Sequence, residues 1–209
     1  MPLKKLPKVK KAIDDKKIFS RLSIIGGILI IIALFIPLSI FSPVLKSEVS
    51  YQLSSRNLNK EIIPVDTNFS IIIPKINANT KVINNVDPFN SHEYQIALTR
   101  GVAHAKGSST PNSGGNTFIF AHSAGNWYQA NQYNAVFYLL NKLTKGDEII
   151  VYYQNQAYHY SVTDTKLVNG NEINYLTGNS SNQLTLMTCW PPGTTLKRLL
   201  IIAHLKNVN

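Results

Sequence analysis

The sequence predicts a mainly-β domain, a barrel or a sandwich, tethered by one N-terminal membrane-spanning helix. Two observations carry this. Leu22 to Leu45 runs for 24 positions without a charged residue. From Phe69 onward the chain breaks into short β-rich runs separated by Gly, Pro, Asn and Ser. With 209 residues, 44% of them hydrophobic, there is chain enough for one core and an appendage.

In chain order, residues 1–21 form a basic tail that holds eight Lys or Arg against Asp14 and Asp15. Most of the net charge of +10 is therefore concentrated there. A helix over residues 22–45 would be roughly 36 Å long, enough to cross a hydrocarbon core of about 30 Å. The run is longer than a signal-peptide apolar segment, and the following "KSEVSYQLSS" offers no Ala-x-Ala-like cleavage site, so it reads as an uncleaved anchor. The basic flank keeps the N-terminus cytoplasmic and exports everything after Lys46, giving a single-pass membrane protein with its domain on the extracellular face. The charge is thereby explained as a topology signal. No basic patch with interleaved aromatics follows, so nucleic acid is not an expected partner.

Residues 46–68 are polar with scattered Leu and Ile and read as a stalk or linker. The folded domain is residues 69–209. Its expected strands are "FSIIIPKI", "TKVINNV", "RGVAHA", "GNTFIFAH", "GDEIIVYYQ", "QAYHYSVTDTKLV", "NQLTLMTC" and "KRLLIIAHL". Two short helices are expected between them. One lies near Ser91 to Leu98. The other covers about Asn134 to Leu143, where Phe137, Leu140 and Leu143 at spacing three dock one face and Gly146 suits the stop.

Cys189 is the only cysteine. Exported proteins meet oxidising conditions and usually pair their structural cysteines, so an unpaired thiol there needs a reason. A small buried hydrophobe is one reading. Period two places Leu184 and Leu186 on one face of "QLTLMTC" and Cys189 on the other, which leaves the thiol free of the leucines' side. "WPPGTT" then forces a loop, and Arg198 opens the next strand. If those two strands pair, Cys189 and Arg198 are neighbours at one end of the sheet.

A thiolate nucleophile also needs a base or ion-pair partner, usually histidine. His122 ends an apolar strand at a loop, a placement that exposes a side chain at a sheet end. His104, flanked by small residues in "GVAHAKGS", is its rival. His159 and His204 lie within strands as ordinary sheet residues, and His92 starts a helix as a solvated one. The lone cysteine has no CxxC partner and the histidines lack zinc spacing, so no metal and no cofactor is expected.

These stretches resemble the sortase family of membrane-anchored cysteine transpeptidases. The matching blocks are "IPKI" at Ile73 to Ile76, "GVAHAKGSSTPNSGGNTFIFAHS" at Gly101 to Ser123, "FYLLNKLTKGDEI" at Phe137 to Ile149 and "TLMTCWPPGTTLKRLLIIA" at Thr185 to Ala203. The last, with its Thr-Leu-x-Thr-Cys followed by a strand opening on Arg-Leu, is the most specific. The resemblance implies an eight-stranded β-barrel with two or more short helices and a groove around Cys189, His122 and Arg198 as catalytic residues. Thr188 is assigned a hydrogen bond to substrate, and Trp190, with Pro191 and Pro192, a wall of the groove. It implies cleavage of a Leu-Pro-x-Thr-Gly-like C-terminal sorting signal after Thr through a Cys thioester. The acyl group would then pass to an amine acceptor, either a lipid-linked cell-wall precursor or a pilin lysine.

Asp87-Pro88-Phe89 looks like the lid of pilus-assembling members, but it follows "IPKI" where the lid precedes it, and so reads as a loop turn. That group also commonly has a second, C-terminal span, of which there is none before Asn209. The short stretch from about Asn169 to Asn182 argues against the subclass with a long helical insertion there. Two other functions remain open to the sequence: another exported thiol peptidase or transpeptidase, and a non-catalytic anchored β-barrel that only binds.

Overall fold

Eight strands close into a barrel in the computed structural model, which describes residues 21–35, 48–49, 51–52, 62–123, 136–170 and 181–206. The chain divides into two units, Met1–Phe41 and Ser42–Asn209. The first contains helix α1, residues 21–35, whose large apolar side chains are exposed, Leu34 and Phe35 at 68%. Among the described residues no helix is long and apolar enough to cross a membrane. The basic tail up to residue 20 and residues 36–45 of the expected span lie outside the described residues.

In the second unit the strands are β1 (Phe69–Ile73), β2 (Ala78–Val86), β3 (Val102–Ala105), β4 (Asn116–Phe120), β5 (Glu148–Tyr153), β6 (Gln156–Asn169), β7 (Gln183–Trp190) and β8 (Lys197–Leu205). Around the barrel they run β1-β2-β3-β4-β7-β8-β6-β5, and β5 returns to β1. The pairs β2–β3 and β4–β7 are parallel; the others are antiparallel. Closure removes the open edges that a sandwich would leave. The interior holds Ile71, Ile73, Ile119, Ile149, Tyr160, Leu184, Leu186 and Ile201, among other fully buried side chains.

"IPKI" does not continue β1. Pro74 has no N–H for the ladder, and a 3-10 turn, Pro74–Ile76, begins there and ends at Asn77 with φ +51°. The β2–β3 crossover carries helix α2, Ser91–Leu98. Its N-terminus is fixed by side chains: Asn90 accepts from Glu93 N, Asp87 accepts from Phe89 N at 2.9 Å, and the Glu93 carboxylate accepts from Asp87 N at 3.1 Å. Asp87-Pro88-Phe89 is thus a turn that caps α2. Return to β3 requires Gly101, where a Cβ would collide with the Lys81 carbonyl.

The second expected helix is corrected. Residues 136–139 form a turn and Leu140–Lys142 a single 3-10 turn; residues 134–135 lie outside the described residues. Phe137, Leu140 and Leu143 do bury together. Spacing three is the period of a 3-10 turn, where i and i+3 eclipse, rather than of an α-helix. Part of the stalk also packs on the barrel: Lys142 Nζ lies 3.4 Å from a Glu48 carboxylate oxygen and 5.6 Å from the Tyr51 ring centroid.

Candidate active site

Topology brings three of the sequence candidates to one rim. β4 and β7 run parallel, so their C-terminal ends lie together, and β8 runs antiparallel to β7, so it begins there. Cys189 and Arg198 are direct cross-strand partners on β7 and β8. Partners in an antiparallel pair have Cβ atoms about 4.5–5.5 Å apart on the same face. On the other side Phe120 pairs with Met187, and Ala121 N donates to Met187 O at 3.1 Å. In step with that register, His122 follows Phe120 by two residues as Cys189 follows Met187. The imidazole and the thiol therefore belong to neighbouring strand ends.

Cys189 is a free cysteine, partly exposed. Burial pushes the His122 pKa down, which favours the neutral imidazole. Its ring packs edge-on against Tyr94 of α2, with centroids 6.4 Å apart. Arg198 donates from Nη1 to the carbonyls of Thr195 at 3.1 Å and Lys197 at 3.2 Å, so the loop between β7 and β8 steadies the guanidinium. Gly170 lies beside it, where a Cβ would stand 3.3 Å from the Thr195 carbonyl oxygen and in ordinary contact with Nη1. Trp190, half-buried, ends β7 beside a cis bond to Pro191 and packs against the core.

Thr188 shares the inner face with Leu184 and Leu186 and is 2% exposed. Its hydroxyl donates to the Ala121 carbonyl at 3.0 Å, a use inside the barrel that differs from the expected substrate contact. The bond staples β7 to β4 one residue before both Cys189 and His122. Thr188→Val keeps the shape and leaves that carbonyl unpaired, so stability should fall by about 1–3 kcal/mol. A urea midpoint that drops with an unchanged slope would record it.

The rival, His104, sits in a closed network. Asn85 N donates to Nδ1 at 3.4 Å, so the ring proton is on Nε2, which lies 3.1 Å from Ser109 O and 2.9 Å from Ser108 Oγ. The Ser108 hydroxyl donates to Ala105 O at 2.8 Å and accepts from the ring. Burial lowers the His104 pKa, opposed in part by the Ser109 carbonyl, and a second ring proton would face the Asn85 N–H. His92, His159 and His204 are exposed; His159 Nδ1 lies 3.3 Å from Glu148 Oε1 and His204 Nδ1 lies 3.1 Å from Thr163 Oγ1. No group of three metal-ligating side chains occurs among the described residues. Residues 124–135 and 171–180, the latter within the short stretch before β7, lie outside the described residues.

Tyr94 was no sequence candidate. The only local sign was its position at i with buried Ala97 and Leu98 at i+3 and i+4, a stripe that turns α2 toward the barrel.

Residues 71–206 match the family model of the Sortase domain. The chain is 27% identical over 133 residues to sortase D of Bacillus subtilis, a match covering 62% of this chain and 59% of that protein. Among solved structures it is similar to sortase C-1 from Actinomyces oris, with 28% identity and a TM-score of 0.55 over 78% of this chain and 85% of that one. It is also similar to Clostridium perfringens sortase C with the C-terminal cell wall sorting motif, with 25% identity and a TM-score of 0.56 over 80% of this chain and 89% of that one.

Proposed function

Because the chain belongs to the sortase family, its residues 71–206 matching the family's domain, we propose that it is a cysteine transpeptidase acting on proteins with a C-terminal sorting signal of the Leu-Pro-x-Thr-Gly type. The observation that supports the reading is the strand register, in which Cys189 pairs with Arg198 and β7 runs beside β4, after whose end His122 lies. The Clostridium perfringens relative, whose structure contains a sorting motif, supports the substrate class.

In the reaction, neutral His122 takes the Cys189 proton as sulfur attacks the Thr carbonyl. The tetrahedral carbon collapses, the Thr–Gly C–N bond breaks, and the glycine amine leaves with the proton from His122. The acyl group stays on sulfur as a thioester. An incoming amine then attacks the same carbonyl, its proton passes to His122, and Cys189 leaves as thiolate with the new amide complete. Arg198, charged at every working pH and rich in donors, stabilises the oxyanion or holds the substrate backbone. Trp190 lines the groove. No cofactor enters these steps.

The domain works at the outer membrane face. Residues 22–45 anchor it with the N-terminus cytoplasmic, close to the hydrophobic tail of a sorting substrate and to a lipid-linked acceptor or pilin lysine. The charge asymmetry of residues 1–21 and the uninterrupted apolar run support this topology.

The reading is tested by incubating the full chain with Leu-Pro-x-Thr-Gly peptides of varied x and triglycine, and following amide exchange by mass. Exchange is expected for a subset of x. None with any peptide would overturn the reading. Arg198→Lys keeps the charge and loses the planar fork, and should lower kcat/KM roughly 100-fold.

A further inference from the structure

We propose that Tyr94 is a positioning residue that holds the His122 imidazole in line with Cys189, an inference that rests on the reading of His122 as the proton-transfer partner of the thiol. Side chains of an α-helix lean toward its N-terminus. The half-buried Tyr94 thereby covers the end of β4, while Ala97 and Leu98 seat α2 on the barrel. Its ring centroid is 6.3 Å from Phe120 at 76° and 6.4 Å from His122 at 65°. Both are edge-on contacts within the 4.5–7 Å range of aromatic pairs, a geometry that sets the tilt of a ring as well as its distance.

His122 needs such a support. Histidines that transfer protons are usually oriented by a third group bonded to the second ring nitrogen. Among the described residues His122 has no hydrogen-bond partner, whereas both nitrogens of His104 are engaged. Among the described residues the Tyr94 ring is the aromatic neighbour that restricts imidazole rotation. It is itself held: Tyr94 N donates to Asn90 O at 3.0 Å, inside the side-chain cap that starts α2. Orientation therefore reaches the imidazole from a crossover helix by packing.

The test uses the full chain in detergent micelles, quenched fluorescent Leu-Pro-x-Thr-Gly peptides and triglycine, with Tyr94→Phe, Tyr94→Leu and Tyr94→Ala. Loss of the ring should lower kcat roughly tenfold with little change in KM, and Tyr94→Phe should restore it. The His122 Cε1–H resonance should move in Tyr94→Leu and Tyr94→Ala, which lose the ring current, and stay in Tyr94→Phe. Tyr94→Leu keeps apolar bulk over the core, so it decides the matter if the alanine variant unfolds. Wild-type kcat in Tyr94→Leu, or a change in KM alone, would overturn the proposal. Exchange that survives His122→Ala would instead sink the reading of His122 and leave the resonance shifts to judge the packing.

Discussion

Cys189→Ala is expected to abolish amide exchange, a loss on the order of 10³-fold or more. Cys189 is the only thiol in the chain, so no other sulfur can replace it. The substitution should leave folding intact, because the side chain is only partly buried at the end of β7 and alanine fits a strand end. Peptide affinity should persist in the variant, measured by fluorescence polarisation of a labelled Leu-Pro-x-Thr-Gly peptide. Loss of turnover with retained binding separates chemistry from recognition.

His122→Gln should cost roughly 10²–10⁴-fold in kcat, the usual range for a positioned proton-transfer group. Glutamine keeps a polar side chain at the rim and cannot cycle a proton. The pH dependence follows from the burial that depresses the His122 pKa. The neutral imidazole survives to a lower pH than a solvated one would, so the acid limb of kcat/KM should lie below pH 6.5. Stability moves with the same sign. Unfolding releases His122 and His104 to their ordinary pKa of 6.5, so the unfolded chain binds more protons and folding weakens as pH falls through 6.5 toward the depressed native values. Thermal melts at pH 7.5 and 5.5 should show the lower midpoint at 5.5. His104→Asn should narrow the difference.

Strand order explains what could be read from sequence. β8 has the span expected from "KRLLIIAHL", since a loop rich in Pro, Gly and Thr precedes it and the apolar run Leu199–Ala203 is continuous. The pairing of β7 with β8 was accessible because the strands are consecutive and joined by six residues. The parallel pairing of β4 with β7 was not, because β5 and β6 lie between them in sequence; only likeness to a family singled out His122. Period was the weak point elsewhere, since three apolar residues at spacing three fit a 3-10 turn as well as a helix. Thr188 was given a substrate contact by family likeness, although period two sets it with Leu184 and Leu186, and the Ala121 carbonyl that engages it belongs to a distant stretch. Tyr94 escaped notice for the same reason: its two ring partners come from a strand on the far side of a crossover.

The thioester itself offers the most direct measurement. The full chain is mixed with a Leu-Pro-x-Thr-Gly peptide in the absence of any added amine, quenched in acid within seconds and weighed intact. The account predicts a mass gain equal to the peptide portion ending at Thr, mapped to Cys189, removed by hydroxylamine and strongly reduced in His122→Gln. An unmodified chain that nevertheless releases the Gly fragment, or an adduct on any other residue, would contradict it.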